Sequence, residues 1–156
     1  MRIFFSSFFL VLTISVSAQT PLKGFDELMQ ALRSGKHVKM VVDYKKCQLI
    51  SDNEISEKSP DATGGMNLDT WEFFARGSVR NDKAFVVFSA SHLIQYPKGD
   101  GYVYNYVKVR VSEDNKVKIT ARYVDPKSFE NLMDENFFGE INDGKNGGGV
   151  AFYQLP

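Results

Sequence analysis

The stretch from Gly101 to Pro126 decides the fold, and it reads GYVYNYVKVRVSEDNKVKITARYVDP. Apolar and polar residues alternate on either side of Glu113-Asp114-Asn115, as expected for two antiparallel strands joined by a short turn. A type I turn with a bulge would close this hairpin, with Asn115 in the left-handed conformation. The closure predicts four cross-strand pairs: Val111 with Val117, Val109 with Ile119, Val107 with Ala121, and Asn105 with Tyr123.

The same alternation extends the sheet towards the N-terminus through two more turns. A turn at Pro97-Lys98-Gly99-Asp100 predicts these pairs: Ile94 with Val103, His92 with Asn105, Ala90 with Val107, and Phe88 with Val109. A two-residue turn at Asn81-Asp82 adds these: Ala75 with Phe88, Phe73 with Ala90, and Trp71 with His92. All three registers keep the apolar residues on one face, which a one-residue slip would destroy.

The segments before this sheet predict one helix and one further strand. Apolar residues recur with helical spacing at Phe25, Leu28, Met29 and Leu32. Gly35 then suits the left-handed position that ends a helix. Period-two alternation from Val38 to Tyr44 predicts a strand, and the polar stretch from Ser51 to Gly65 predicts a mobile loop that could act as a lid.

Two segments at the C-terminal end complete the predicted fold. Asp125-Pro126 is typical of a helix start, although Phe129, Met133 and Phe137 would equally suit a strand. Val150 to Leu155 predicts a closing strand. We therefore expect an α+β fold, with an N-terminal helix packed on a twisted antiparallel meander of about six or seven strands that could be partly closed as a barrel.

The N-terminus has the layout of a secretory signal peptide. A positive start at Met1-Arg2 precedes an apolar run from Ile3 to Val16, and small residues end at a predicted cleavage site between Ala18 and Gln19. A transmembrane anchor is the alternative, but the run is short for a bilayer core of about 30 Å. We expect residues 1–18 to be the signal peptide and residues 19–156 a single domain, periplasmic or secreted, without stable membrane insertion after cleavage.

Composition and charge restrict the partners. The chain of 156 residues has 19 basic and 19 acidic residues, so nucleic acid is not expected as a partner. Cys47 is its single cysteine, which excludes an intrachain disulfide. In an oxidising compartment this thiol is either buried and inert or available for an intermolecular bond.

One predicted row of side chains interrupts the apolar face of the sheet with polar groups: Trp71, His92, Asn105 and Tyr123. Burying imidazole and amide groups is costly unless they are hydrogen-bonded. The row is therefore a self-satisfied polar network with Trp71 packed over it, or the lining of a ligand cavity. Catalysis by His92 is a third interpretation, although the register places no nucleophile or carboxylate beside it.

The opposite face of the sheet carries aromatic and basic side chains. Its candidate ligand-binding face consists of Tyr102, Tyr104, Tyr106, Lys108, Arg110 and Arg122. Arg122 is predicted to lie opposite Tyr106, within reach of its ring. This face is either a solvated strand surface or a platform for a protein, a glycan or a small anionic ligand.

No motif in the sequence indicates a catalytic residue, a cofactor or a metal. The glycines lack the Lys-Ser/Thr that follows a phosphate-binding loop, and no serine lies in a nucleophile elbow. Only two histidines and one cysteine are present, so a zinc site would need carboxylates. The acidic residues near the C-terminus lack calcium-loop spacing.

Several segments together resemble the VirK family of small exported bacterial proteins. They are GFDELMQALRSGK, VVDYKKC at Val41 to Cys47, PDATGGMNLDTWEFF at Pro60 to Phe74, and YVYNYVKVRV with ITARYVDP. The resemblance implies export and an association with virulence or host contact. It implies no established enzymatic activity or cofactor, and it supplies no catalytic residues.

We therefore expect a non-enzymatic exported VirK-like protein that serves as an accessory or binding protein. Two alternatives remain open. One is an envelope hydrolase that uses His92 with a carboxylate from the Ser51 to Gly65 loop. The other is a partner-dependent structural subunit, for which an exposed, cross-linking Cys47 would be evidence.

Overall fold

The fold is mainly β. The structure, a computed structural model, describes residues 18–51 and 54–156, so residues 1–17 of the predicted signal peptide lie outside the described residues. One α-helix, α1, spans Phe25–Arg33, and a 3-10 helix spans Tyr44–Lys46. The strands are β1 Thr20–Leu22, β2 Val38–Asp43, β3 Gln48–Ser51, β4 Glu54–Ile55, β5 Thr63–Asn67, β6 Glu72–Phe74, β7 Phe85–Gln95, β8 Tyr102–Ser112, β9 Lys116–Val124, β10 Asn131–Glu140 and β11 Val150–Gln154.

The predicted helix forms where its apolar spacing indicates. Asp26 and Glu27 lie in its first turn and Arg33 in its last, where the helix dipole favours these charges. Gly35 follows with a φ of 68°, in the left-handed region that glycine adopts without steric cost. Within the described residues α1 is the only α-helix, and it is too short and too polar to span a membrane.

The seven-stranded sheet has the order β4-β3-β10-β9-β8-β7-β6. The register predicted from the central hairpin is confirmed: Val111 lies opposite Val117 and Asn105 opposite Tyr123, and Asn115 has a φ of 64°. The register between β7 and β8 is also confirmed, including His92 opposite Asn105. The alternation therefore places all three strands correctly.

The predicted position of β6 is wrong by four residues. Phe73 lies opposite Val86 rather than Ala90, and β7 follows a wide loop instead of a two-residue turn at Asn81-Asp82. The Asn81 side chain holds that loop by donating hydrogen bonds to the carbonyls of Ala75, at 2.9 Å, and Lys83, at 2.7 Å. Because the shift is even, the same residues still face the core.

The four-stranded sheet has the order β1-β11-β2-β5. The closing strand predicted at Val150 to Leu155 is confirmed as β11. The prediction of a mobile loop from Ser51 to Gly65 is wrong where β4 and β5 form, although 52–53 lie outside the described residues. Gly65 permits the β5 pairing, since a Cβ there would lie 3.0 Å from the Met40 carbonyl oxygen.

The helix predicted after Asp125-Pro126 is wrong, and a turn leads into β10 instead. The Asp125 carboxylate accepts hydrogen bonds from the backbone N–H groups of Lys127 and Ser128, both at 2.8 Å. These bonds hold the pKa of Asp125 below its usual value. Met133 and Phe137 then lie in β10, as the strand alternative predicted.

One hydrophobic core lies between the two sheets and α1. Phe88 of β7 meets Phe152 of β11 edge to face, with ring centroids 6.1 Å apart, and Leu28 of the helix belongs to the same buried cluster. A parallel bridge joins Ile141 to Val150 where the chain passes between sheets. Over the residues that the structure describes, the sheets do not close into the barrel that the sequence suggested.

Candidate functional site

A groove of about 370 Å³ lies on the outer face of the large sheet, beside the short strand β6. Its volume falls within the usual range for small-molecule sites, about 300–1,000 Å³. Its floor comes from β7 and β8, where Ser89 lies opposite Lys108. The lining residues are Thr70, Trp71, Glu72, Val87, Phe88, Ser89, Tyr106 and Lys108.

Trp71 lines this groove and does not lie beside His92 in the inner polar row, where the sequence placed it. The four-residue shift of β6 moves Trp71 away from His92 to the end of β6, beside Tyr106 and Lys108. Its ring also packs partly against the core. The structure thus brings one member of the predicted inner row together with two members of the predicted outer face.

The other members of the outer face do not converge on the groove. The guanidinium of Arg110 lies 3.7 Å from the ring centroid of Phe85. Arg122 pairs with Asp134 at 3.0 Å instead of covering the Tyr106 ring. In the described part of the chain Lys108 has no such ion pair, which leaves its ammonium group available in the groove.

The predicted inner row contributes to a second, smaller cavity of about 100 Å³ between the two sheets. His92 and Asn105 line it together with Tyr44, and its deepest walls are apolar side chains such as Met40 and Val42. Tyr123 meets the Tyr96 ring edge to face, with centroids 6.1 Å apart. His92 is exposed and the others are half-buried, so water can form hydrogen bonds to the polar groups of the row. In the described residues no hydrogen bond joins the side chains of the row to one another.

Tyr44 and Cys47 show how the protein environment controls protonation near this cavity. Burial, with lesser effects of Cys47 and Tyr123, raises the pKa of the Tyr44 phenol, which therefore stays protonated. Burial, with a lesser effect of Asp43, likewise raises the pKa of the Cys47 thiol. A buried neutral thiol is inert, which counts against an intermolecular disulfide.

The inner cavity has few of the groups that catalysis requires. Among the described residues that line it, none is a carboxylate, a serine or a cysteine that could work with His92. The described part of the chain also contains no cluster of three or more histidine, cysteine, aspartate or glutamate side chains with metal-binding geometry. The cavity therefore combines the imidazole of His92 and the amide of Asn105 with apolar walls.

No sequence pattern marks Thr70, Glu72 and Ser89 in the groove or Tyr44 in the cavity as site residues. Their residue types carry no motif, and only the packing of distant strands brings them to these surfaces. The strand alternation does place Ser89 on the same face as Lys108, but it contains nothing that marks that position as a site.

Comparison with known proteins connects this fold to a family. The model of the VirK protein family matches residues 21–129. The crystal structure of a VirK family protein from Legionella pneumophila is similar, with a TM-score of 0.62 and 19% identity over 85% of this chain and 97% of that one. That identity shows a shared fold alone, and a search of curated proteins found no match. Because the family model spans more than half of the sequence, the chain belongs to the VirK family.

Proposed function

We propose that the protein is an exported, non-enzymatic binding protein of the VirK family, with an accessory role in virulence or host contact. Its ligand would occupy the outer groove. One observation carries this proposal: Trp71, Tyr106 and Lys108 line the same groove, which has a volume of about 370 Å³.

The chemistry of the groove favours a glycan ligand, and an acidic one above a neutral one. Aromatic rings offer flat apolar surfaces to the C–H faces of a sugar, while hydroxyl and carboxylate groups satisfy its hydroxyls. Thr70, Glu72 and Ser89 supply those polar groups. Lys108 adds a cation that can pair with the carboxylate of an acidic sugar.

Intrinsic fluorescence tests the groove directly, because Trp71 is the only tryptophan in the chain. We expect acidic oligosaccharides to change its emission saturably, and neutral ones to bind more weakly. Lys108→Ala should weaken the binding of acidic sugars by about tenfold, the loss expected for one charge-assisted contact.

Lys39→Ala is the matched control, since Lys39 is an exposed lysine of β2 in the other sheet. It should leave the titration unchanged. A saturable signal that Lys108→Ala and Lys39→Ala alter equally would contradict the groove as the binding site. No signal with any oligosaccharide, confirmed by calorimetry, would contradict the glycan proposal.

Export has its own test. Expression in a Gram-negative host, followed by fractionation and intact-mass measurement, should give a periplasmic or secreted protein that begins at Gln19. Ala18→Pro should block cleavage and leave the longer chain, while Ser6→Ala, away from the predicted cleavage site, should be processed normally. A cytoplasmic protein that retains residues 1–18 would refute export.

The two alternatives receive less support. A hydrolase that uses His92 lacks an acidic or nucleophilic partner among the described cavity residues. A structural subunit linked through Cys47 is disfavoured because that thiol is buried. The binding proposal rests on neither residue.

A further inference from the structure

Strand β7 has an open edge. Its partner β6 pairs only with Phe85, Val86 and Val87, whereas β7 continues to Gln95. In the described part of the chain no strand pairs with β7 on that side beyond Val87. Unpaired strand edges present a row of N–H and C=O groups that can pair with another chain.

The hydrogen-bond pattern shows which residues direct their backbone groups outwards. The Tyr96 N–H donates to the Gly101 carbonyl at 3.0 Å, and the Glu113 N–H donates to the Ala84 carbonyl at 2.9 Å. Both bonds continue the β7–β8 register, so the even-numbered residues of β7 bond to β8. The odd-numbered residues therefore direct their backbone N–H and C=O groups to the open edge.

Thr70 and Trp71 lie beside Ser89 in the groove, so this end of the edge is partly covered. The free part is then presented by Ser91, Leu93 and Gln95, whose side chains are all exposed. The strand from Phe85 to Gln95 contains no lysine, arginine, aspartate, glutamate or proline. These are the residues with which edge strands usually prevent pairing.

A two-fold axis through Leu93 satisfies the free part of this edge. Ser91 of each copy would pair with Gln95 of the other, and the two Leu93 residues would pair with each other. All three outward residues are then used, and pairing stops at the turn that follows Gln95. The edge is self-complementary in this register.

The side chains favour the same axis. Leu93 is 56% exposed, and Tyr104 lies opposite it on β8, with Val124 opposite Tyr104 on β9. This apolar row ends at the free edge. Pairing through Leu93 would continue it into the identical row of a second copy and remove Leu93 from water.

We propose that the protein forms a symmetric dimer by antiparallel pairing of two β7 edges, with Leu93 on the two-fold axis. The occupant of the edge is a second copy of this chain. The proposal is independent of what the groove binds.

Proline scanning tests the backbone contact. Ser91→Pro removes an outward N–H without touching the β7–β8 ladder, and proline is tolerated on such an edge. Ser91→Ala keeps the N–H and is the matched control. Sedimentation equilibrium should show a concentration-dependent dimer for the wild type and Ser91→Ala, weakened about ten- to a hundredfold in Ser91→Pro.

Cross-linking tests the register, with Cys47→Ser as a background free of other thiols. Leu93→Cys should form a disulfide dimer, because paired residues at such a position are about 5.5 Å apart between Cα atoms. Ser91→Cys and Gln95→Cys should not cross-link alone, since each would lie about 13 Å from its copy. A mixture of the two variants should cross-link.

Specific results would overturn the proposal. A wild type that stays monomeric at its solubility limit would do so, as would equal cross-linking of all three single cysteine variants. A monomer that instead takes up an extended peptide on this edge would assign the edge to a different chain. Thermal unfolding of each variant separates lost pairing from lost folding.

Discussion

Cys47 shows, at the scale of single residues, how closely two loops and a strand approach one another. Its thiol is buried and lies 3.6 Å from the Asp43 carbonyl oxygen. A Cβ built on Gly139 would lie 2.9 Å from the sulfur atom, and one on Gly149 would lie 2.8 Å from it. Cys47 fills the space beside Gly139, whereas Cys47 and the Asp43 carbonyl oxygen, 3.0 Å from a Cβ on Gly149, together fill the space beside Gly149.

A double-mutant cycle tests this fit. Gly139→Ala should lower the free energy of unfolding by about 1–3 kcal/mol, because a methyl group forced into a packed site displaces its neighbours. In a Cys47→Ala background the same substitution should cost much less, since every other atom near that Cβ, apart from Cys47, is at least 3.6 Å away. Urea denaturation measures both. Equal costs in the two backgrounds would show that the sulfur atom is not the cause.

Asn115 connects two elements, the β8–β9 turn and helix α1. Gly24, which precedes the helix, has no side chain to cap it. The Asn115 Oδ1 atom accepts a hydrogen bond from the Phe25 N–H at 2.8 Å instead, from 90 positions along the chain. Asn115, which the sequence predicted in the left-handed position of a turn, therefore also caps the start of the helix.

Asn115→Gly separates the two roles. Glycine keeps the left-handed conformation but removes the acceptor, so we expect a loss of about 0.5–2 kcal/mol of stability, the usual value of a helix cap. Asn115→Asp keeps an acceptor and should retain most of the stability. Chemical denaturation followed by Trp71 fluorescence measures this difference. A glycine variant as stable as the wild type would contradict the capping role.

The turn before β10 contains a bulky residue in an unfavourable backbone conformation. Phe129 has a φ of 60°, and its side chain is 72% exposed. Left-handed backbone is costly for a bulky residue, and little burial offsets this cost. We expect Phe129→Asn to raise stability by about 0.5–1 kcal/mol.

Phe129→Ala is the matched control, because it removes the ring but leaves a residue that disfavours a positive φ. It should not stabilise the protein. Differential scanning calorimetry compares the melting temperatures of the three proteins. A lower melting temperature for Phe129→Asn would indicate that the ring makes a stabilising contact.

At the scale of the whole molecule, the two sheets depend on a few shared aromatic residues. Phe152 is 1% exposed and meets Phe88 across the interface between the sheets. Phe152→Ala should lower the free energy of unfolding by about 3–5 kcal/mol, as for other large truncations in a core. Phe138 is the control, since it is 37% exposed on the large sheet, and its truncation should cost about 1 kcal/mol or less.

The measurement is denaturant unfolding monitored by circular dichroism and by Trp71 fluorescence. We expect both signals to change in one transition, because the core is continuous between the sheets. Equal destabilisation by Phe152→Ala and Phe138→Ala would contradict the importance of this interface.

The sequence predicted the elements better than their arrangement. Period-two alternation identified β7, β8 and β9 and their registers because each of the two turns between them is short enough to define the pairing. It failed for β6, because the chain between Ala75 and Ala84 is a wide loop held by the Asn81 side chain. It also missed β5, whose glycines have low strand propensity and form a strand only beside β2.

The positions of the candidate site residues were also predicted only in part. Alternation correctly placed Tyr106 and Lys108 on one face, and His92 beside Asn105 on the other. Trp71 was misplaced because its position depended on the turn that was wrongly predicted.

The hairpin from Gly101 to Pro126 thus determined by itself the register of the central strands and the residues on each face, because alternation is a local property of an extended chain. Only the tertiary structure decided that two sheets form, that Trp71 lines the groove beside β6, and that β7 keeps an open edge among the described residues. Those features depend on contacts between residues far apart in the sequence, whose loop geometry local patterns do not encode.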